Sequence, residues 1–405
     1  MAIAQNLFRQ IAIGKQAALG TLALTNAGQL YNFRPDTSGG LSKESFESDS
    51  IRRDQQFSNP RHGLRSGAFS LSQELQLGGH TELWEGALGA DFDTTPATTG
   101  SSTDMALDAA ARTITRTSGS FITDGFKVGD IVRATGYTSA VNNGTNLRLT
   151  GVTALVLTYA NDAWLPTMVT EAAGDTVTIA VPGGVCQVPS TGHTSDYYTI
   201  DDFHDDINQQ STVRDARVSS VSVDIAPGAH ATVTFEFLGT DASLDGTAQY
   251  FVGPTAASNG ALLAGPEGRL RYDGADSAVM TSIQFTIDRG AEVKAVVGAN
   301  VSPDVFTSGV RVSGSLSALF DGGSVLVNFD EETEASLYIY LFADSTRGSE
   351  FLLFKLPNVK INSADKSTDG QALQVSGDFS AGKYVGASTV IEGTTILIND
   401  STVTA

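Results

Sequence analysis

Apolar and polar residues alternate with period two along much of this chain, and the longest such stretch folds back on itself. Between Asp215 and Asp241, Val218, Val221, Val223 and Ile225 precede a Pro227-Gly228 turn, after which Val233, Phe235 and Phe237 alternate with Thr234, Glu236 and Leu238. Alternating runs around a Pro-Gly turn predict an antiparallel hairpin with one apolar face. A second run of the same kind spans Phe354 to Phe379, with Val359 and Ile361 on one arm and Leu373, Val375 and Gly377 on the other. Neither copy carries a reaction centre, so the sheet itself is expected to be the working part.

Around these hairpins the pattern predicts two sister units. In the first, residues 19–28 alternate as a strand, and Ile3, Leu7 and Ile11 recur at spacing four as a short amphipathic arm. Residues 32–64 form a polar, charged connection, long for a compact domain. Residues 66–77 alternate again, Gly78-Gly79 breaks the pattern, and residues 80–92 take a helical one with Leu83, Trp84, Ala87 and Leu88 on one face and Thr81 as N-cap. From Ser277 the order restarts: a strand with Ile283, Phe285 and Ile287, a strand over 307–323 closing in Gly322-Gly323, a helix over 328–344 with acids in its first turn, then the second hairpin.

Between the units, residues 96–195 hold short strands, with a turn at Asn142-Asn143-Gly144. The predicted organisation is residues 1–95 with 196–241 as the first unit, 96–195 as an inserted all-β module, 242–276 as a Gly/Ala/Pro-rich linker, and 277–405 as the second unit. The fold class is mainly β with a few short helices, of the β-sandwich or barrel type.

Composition narrows the function. The 405 residues carry a formal net charge of -20, which does not attract nucleic acid, because binding requires Lys and Arg to neutralise phosphates. The single cysteine, Cys186, forms no intrachain disulfide and no multi-cysteine zinc site, and its apolar surroundings predict an inert buried thiol. No apolar run reaches the length of a membrane helix, and the N-terminus lacks the pattern of a secretion signal, so folding in a cytoplasm is expected.

Candidate chemistry is sparse. His204 lies in the acidic run 201–206 and a second acidic run covers 330–334, but neither has the spacing of a calcium loop. The first is expected to be a solvated loop and the second a helix N-terminus. His62 and His80 are isolated, Trp84 and Trp164 are expected core anchors, and the nucleophile-elbow, zincin, P-loop and dinucleotide motifs are missing. No catalytic, cofactor or metal residue is therefore assigned. The polar connection does stand out: Arg52, Arg53, Asp54, Arg61 and Arg65 cluster around Phe57 in an otherwise acidic chain. Local Arg enrichment beside an aromatic points to contact with another protein.

Residues 41–92 (LSKESFESDSIRRDQQFSNPRHGLRSGAFSLSQELQLGGHTELWEGALGADF) closely resemble the N-terminal part of the tail tube (major tail) proteins of long-tailed, non-contractile bacteriophages. Residues 120–152 resemble a module inserted in part of that family, and residues 217–241 resemble its closing hairpin. The unit after residue 277 matches more loosely.

The resemblance implies a virion protein that stacks as rings into a hollow tail, assembled in the host cytoplasm around a tape-measure protein, joined by tail-completion proteins, and later traversed by the phage genome without specific binding. Two units in one chain imply rings of three chains with pseudo-sixfold symmetry, although six chains stay open. The inserted module is expected to project outward. Ser220, Ser222, Asp224, Thr232, Thr234 and Glu236 on one hairpin, and Gln371, Gln374, Ser376 and Asp378 on the other, are expected to face the lumen. Arg52, Arg53, Asp54, Phe57, Arg61 and Arg65 are expected to contact a neighbouring subunit. A cell-surface or secreted β-sandwich adhesin, and a polysaccharide hydrolase using paired carboxylates, are the alternatives.

Overall fold

The computed structural model describes residues 5–57, 59–277, 279–320, 324–369 and 372–404. The protein is mainly β, with two short α-helices among the described residues. The strands that position the site are β1 (Arg9–Lys15), β2 (Ser38–Phe46), β3 (Arg61–Glu74), β4 (Tyr198–His204), β5 (Gln209–Ile225), β6 (Thr232–Gly239), β7 (Asp241–Gly246), β8 (Gly268–Tyr272), β9 (Met280–Asp288), β10 (Arg311–Leu319), β11 (Ala335–Phe342), β12 (Phe351–Ile361), β13 (Asp365–Asp369), β14 (Ala372–Ala381) and β15 (Leu397–Asp400). The helices are α1 (Thr81–Leu88) and α2 (Ser324–Asp330).

Eight of these strands form one antiparallel layer in the order β2-β3-β6-β5-β9-β10-β14-β13. The first hairpin is the predicted one: Val223 pairs with Val233 and Val221 with Phe235. Strand β6 pairs with β3 from Thr232–Glu74 to Gly239–Gly67, so residues far apart in the chain complete one sheet. One face of β3, β5, β6, β9, β10 and β14 is apolar. Phe69, Leu71, Val221, Val223, Val233, Phe235, Ile283, Phe285, Leu316 and Phe379 all enter the main core. At Gly314 a Cβ would lie 2.6 Å from the Phe379 ring, so the missing side chain makes room for the aromatic.

Helix α1 lies over that core. Its Trp84 ring is 5.1 Å from Phe235 and 5.7 Å from Phe354 on β12, and Phe354 lies 5.1 Å from Phe285. The contacts tie the eight-stranded layer to a second layer in which β8, β11, β12 and β15 pair in turn. His80, the residue before α1, makes no side-chain cap, and Gly89 ends the helix at φ 70°, the left-handed turn that glycine adopts without strain.

Several expectations need correction. The N-terminal segment is a strand from Arg9, because Ile11, Ala12 and Ile13 are all buried and β1 pairs with β4; Ile3 lies outside the described residues. Residues 19–28 form turns around an Ala18–Thr21 bridge. The 32–64 connection is strand in part, since Ser38–Phe46 pairs with β3 to form a long hairpin arm. Residues 335–342 are strand β11 where a helix was expected. Leu337, Ile339 and Leu341 fill the main core while Tyr338, Tyr340 and Phe342 fill a second cluster, so both faces are buried and a one-sided helix pattern does not apply. Asp330 ends α2 and Glu331, Glu332 and Glu334 follow it, so these acids are not at a helix N-terminus. In the second hairpin, β12 meets β14 at only three positions, Val359 to Ile361, and the intervening β13 makes the close pairing. The 242–276 segment begins in β7, paired to β5, and ends in β8, paired to β11, so it is woven into both layers.

Residues 97–180 form a separate seven-stranded sheet with its own core around Phe121, Phe126, Leu147 and Ile179. It packs on the outer face of β11 and β12: Ile131 joins the Tyr338, Tyr340 and Phe351 cluster, and Trp164 lies 4.7 Å from Phe342. Two buried cations cross the junction in opposite directions. Lys355 of β12 pairs with Asp130, with Glu392 3.9 Å away. Arg148 of the small sheet bonds Asp162 at 2.6 Å and also grips Asp276. Burial opposes the Lys355 charge, but Asp130 and Glu392 outweigh it and hold the ammonium above its ordinary value. Arg148 follows the same logic, with its hydrogen bonds to Asp276 and Asp162 outweighing burial.

Candidate functional site: a polar sheet face between two free edges

The face of the eight-stranded layer turned away from the core is polar in continuous rows. Ser72, Thr234, Ser222, Thr286, Ser313 and Ser380 are cross-strand neighbours on six strands. Beside them run Glu74, Thr232, Asp224, Gln284, Ser315 and Asp378. A third row runs through Ser70, Glu236, Ser220, Asp288 and Arg311. Ser70 donates to Glu236 at 2.8 Å, and the Ser222 and Thr286 hydroxyls are 3.0 Å apart. The charges in these rows are carboxylates except for Arg311. Such a surface repels a polyanion and offers it few partners.

All nine described residues expected to face a lumen lie on this one face: Ser220, Ser222, Asp224, Thr232, Thr234 and Glu236 on β5 and β6, and Gln374, Ser376 and Asp378 on β14. Gln371 lies outside the described residues. The reading missed the strands between them. Gln284, Thr286 and Asp288 on β9, and Ser313, Ser315 and Ser317 on β10, alternate with core residues in the same way, and that alternation was the available signal.

The layer has a seam and two open edges. At the seam, β5 from the first half pairs with β9 from the second over six positions, Ser220–Asp288 to Ile225–Ile283. At the outer edges, β2 pairs with β3 and β13 with β14, and their far sides carry no strand among the described residues. Most of β2 is exposed, including the whole stretch from Ser42 to Phe46. An open edge strand is a template for another chain.

The arginine cluster divides in two. Arg52, Arg53, Asp54 and Phe57 sit at the exposed tip joining β2 to β3, with Phe57 86% and Ile51 101% exposed. Arg52 bonds Asp54 at 2.8 Å, which holds the Asp54 carboxyl below its ordinary range. Arg61 starts β3 opposite Phe46. Arg65 is turned inward: it bonds Asp241 at 2.9 Å and the Ala242 carbonyl at 3.2 Å, so its charge is used within the chain.

A protein built around an extended polar face with open edges on both sides is an assembly component. The phage tail tube protein family matches residues 9–381. The chain belongs to that family. It is a structural tail tube protein, a component of the virion tail that assembles with copies of itself, and the adhesin alternative gives way to this assignment. No curated protein matches the chain. No helix among the described residues is long and apolar enough to cross a membrane.

The other candidate residues have structural surroundings. Cys186 is fully buried, and burial pushes its thiol far above the ordinary range. His80 is buried and stacks 5.6 Å from Phe235, which lowers its imidazole to about 4 through desolvation. The acidic run at 201–206 is not a solvated loop: Asp201 and Asp202 are buried in β4, Asp201 accepting from Gln210 at 2.8 Å and Asp202 pairing with Arg9 at 2.8 Å. Glu85, Asp91 and Asp196 converge, but Lys15 stands among them, 3.0 Å from Asp196.

Proposed function

We propose that β13 of one chain pairs with β2 of the next, so that the eight-stranded layers of three chains close into one ring with pseudo-sixfold symmetry. The β5–β9 seam carries this reading. It joins the last strand of β2-β3-β6-β5 to the first strand of β9-β10-β14-β13, and a β13–β2 joint between chains repeats that step. Closure removes every open edge and turns the polar rows toward a lumen. Rings then stack, with the 47–60 tip, including Arg52, Arg53, Asp54 and Phe57, reaching the adjacent ring. The tube forms around a tape-measure protein, is finished by tail-completion proteins and conducts the phage DNA in a long-tailed, non-contractile virion. The inserted sheet, packed behind β11 and β12, projects outward. The first and second units are 1–95 with 196–241 and 277–405, with 96–195 inserted and 242–276 running between them through strands of both layers.

The test is electron microscopy of purified protein together with the mass of its smallest annular species. Hollow rings of three chains are expected. Closed rings of six would overturn the stoichiometry, and a monodisperse monomer at high concentration would overturn the reading itself.

A further inference from the structure

The connection between β9 and β10, residues 289–310, occupies the place in the second half that the 47–60 tip occupies in the first. Each joins a strand hydrogen-bonded to its own hairpin partner, β2 to β3 and β9 to β10, in the repeated strand order. The 289–310 connection also reaches the start of β3, next to the tip, where the Arg65 backbone N–H donates to the Asn300 carbonyl at 2.8 Å.

The loop is braced rather than loose. Glu292 and Val293 pair with Phe306 and Val305, and Val296 bridges Ala299 around Gly298 at φ 96°. Arg217 donates to the Val305 carbonyl at 2.9 Å, and Tyr197 donates to Asp304 at 3.0 Å. This bracing presents Val297 at 108% exposure, matching Ile51 at 101% on the neighbouring tip. An aliphatic side chain held fully in water on a built turn gains nothing within the chain, and burying it against a partner is favourable.

The opposite end of the layer has the complementary character. Strand β10 runs from Arg311 beside this loop to Leu319, roughly 30 Å away at the usual strand rise. There Phe320, Leu373 and Phe329 are each about two-fifths exposed, and the Phe320 N–H donates to the Leu373 carbonyl at 2.9 Å. Lys366 lies 4.4 Å over the Phe320 ring, and of the exposed Glu331, Glu332 and Glu334 alongside, Glu332 pairs with Lys360 at 2.9 Å. Apolar tips at one end face an apolar patch at the other, which suits head-to-tail stacking of a second copy, while charges beside both ends are paired within the chain, Arg52 with Asp54, Lys294 with Glu292 and Glu332 with Lys360.

We propose that residues 289–310 form a second axial contact, seating Val297 on the opposite end of the layer of a second copy in the adjacent ring. The proposal rests on the tube reading above and doubles the stacking contacts per chain. The test compares Val297→Asp, Val297→Lys and Val297→Ser with the wild type, reading ring mass, tube length by microscopy and thermal melting. Unchanged melting, wild-type rings and at least ten-fold fewer tubes are expected for Val297→Asp and Val297→Lys alike, since either charge is costly to bury in an apolar seat, with a milder loss for Val297→Ser. Normal tubes from Val297→Asp overturn the proposal while leaving the tube reading intact. Loss of rings together with tubes overturns the axial assignment, and normal tubes from Val297→Lys overturn the apolar seat. A wild-type chain without tubes removes the tube reading and this proposal with it.

Discussion

Ser222 of β5 and Thr286 of β9 face each other across the seam between the two halves, hydroxyl to hydroxyl at 3.0 Å. The two residues are 64 positions apart in the chain. Their contact shows that one half of the protein already ends where the other begins, on the same polar face. An interchain joint built on this plan needs no new kind of contact, only a repeat of the seam.

The polar face is expected to tolerate DNA because carboxylates outnumber Arg311, the one cation in its rows. Replacing Ser222, Thr286 and Ser313 by Lys puts a positive row in the middle of it. The variant tubes should retain duplex DNA in a low-salt mobility assay and release it as salt rises, while tube yield stays within about two-fold. Tubes that ignore DNA at low salt would show that this face does not line the passage.

Charge reversal at Arg52 and Arg53 removes the basic character of an exposed tip whose backbone makes few contacts with the body. Arg52→Glu with Arg53→Glu should leave the melting temperature within about 2 °C, since exposed substitutions usually change stability little, and should lower polymer yield in sedimentation. Undiminished polymer would show that the tip is not a joint.

Lys355 is fully buried against Asp130, and breaking such a pair leaves a charge without a partner. Lys355→Met should cost about 3–5 kcal/mol in denaturant unfolding. The double variant Lys355→Met with Asp130→Asn should recover much of that loss. If the single and double variants are equally destabilised, the ion pair is not what couples the inserted sheet to β12.

His80 links stability to pH. The unfolded chain takes up this proton near pH 6.5, whereas the folded chain resists it down to about 4 because burial against Phe235 disfavours the cation. Between those values the unfolded state binds more protons, so stability falls as pH drops through the window, by about 3 kcal/mol in total. His80→Leu should flatten that part of the curve relative to wild type. Glu82 and Glu85 nearby, both raised by burial, act in the opposite sense and remain in both proteins. Parallel wild-type and variant curves would refute the assignment.

Much of the sheet was legible in the sequence. Period-two alternation places a side chain on one face or the other without reference to its neighbours. It marked the β5–β6 hairpin and all nine described polar positions on β5, β6 and β14, while the helical spacing of Leu83, Trp84, Ala87 and Leu88 marked α1. It failed where a strand is buried on both sides. Strand β11 reads as a near-continuous apolar run, and its Leu337 and Leu341 mimic a helical face because a residue spacing of four fits both patterns.

What the sequence determined by itself is which residues turn toward water on each strand, because that depends only on local alternation. Which strands adjoin was decided by the tertiary structure. The pairing of β5 with β9, the open sides of β2 and β13, and the inward turn of Arg65 toward Asp241 depend on chain segments brought together over long separations. Edges and seams are properties of neighbours in space, and no local pattern encodes them.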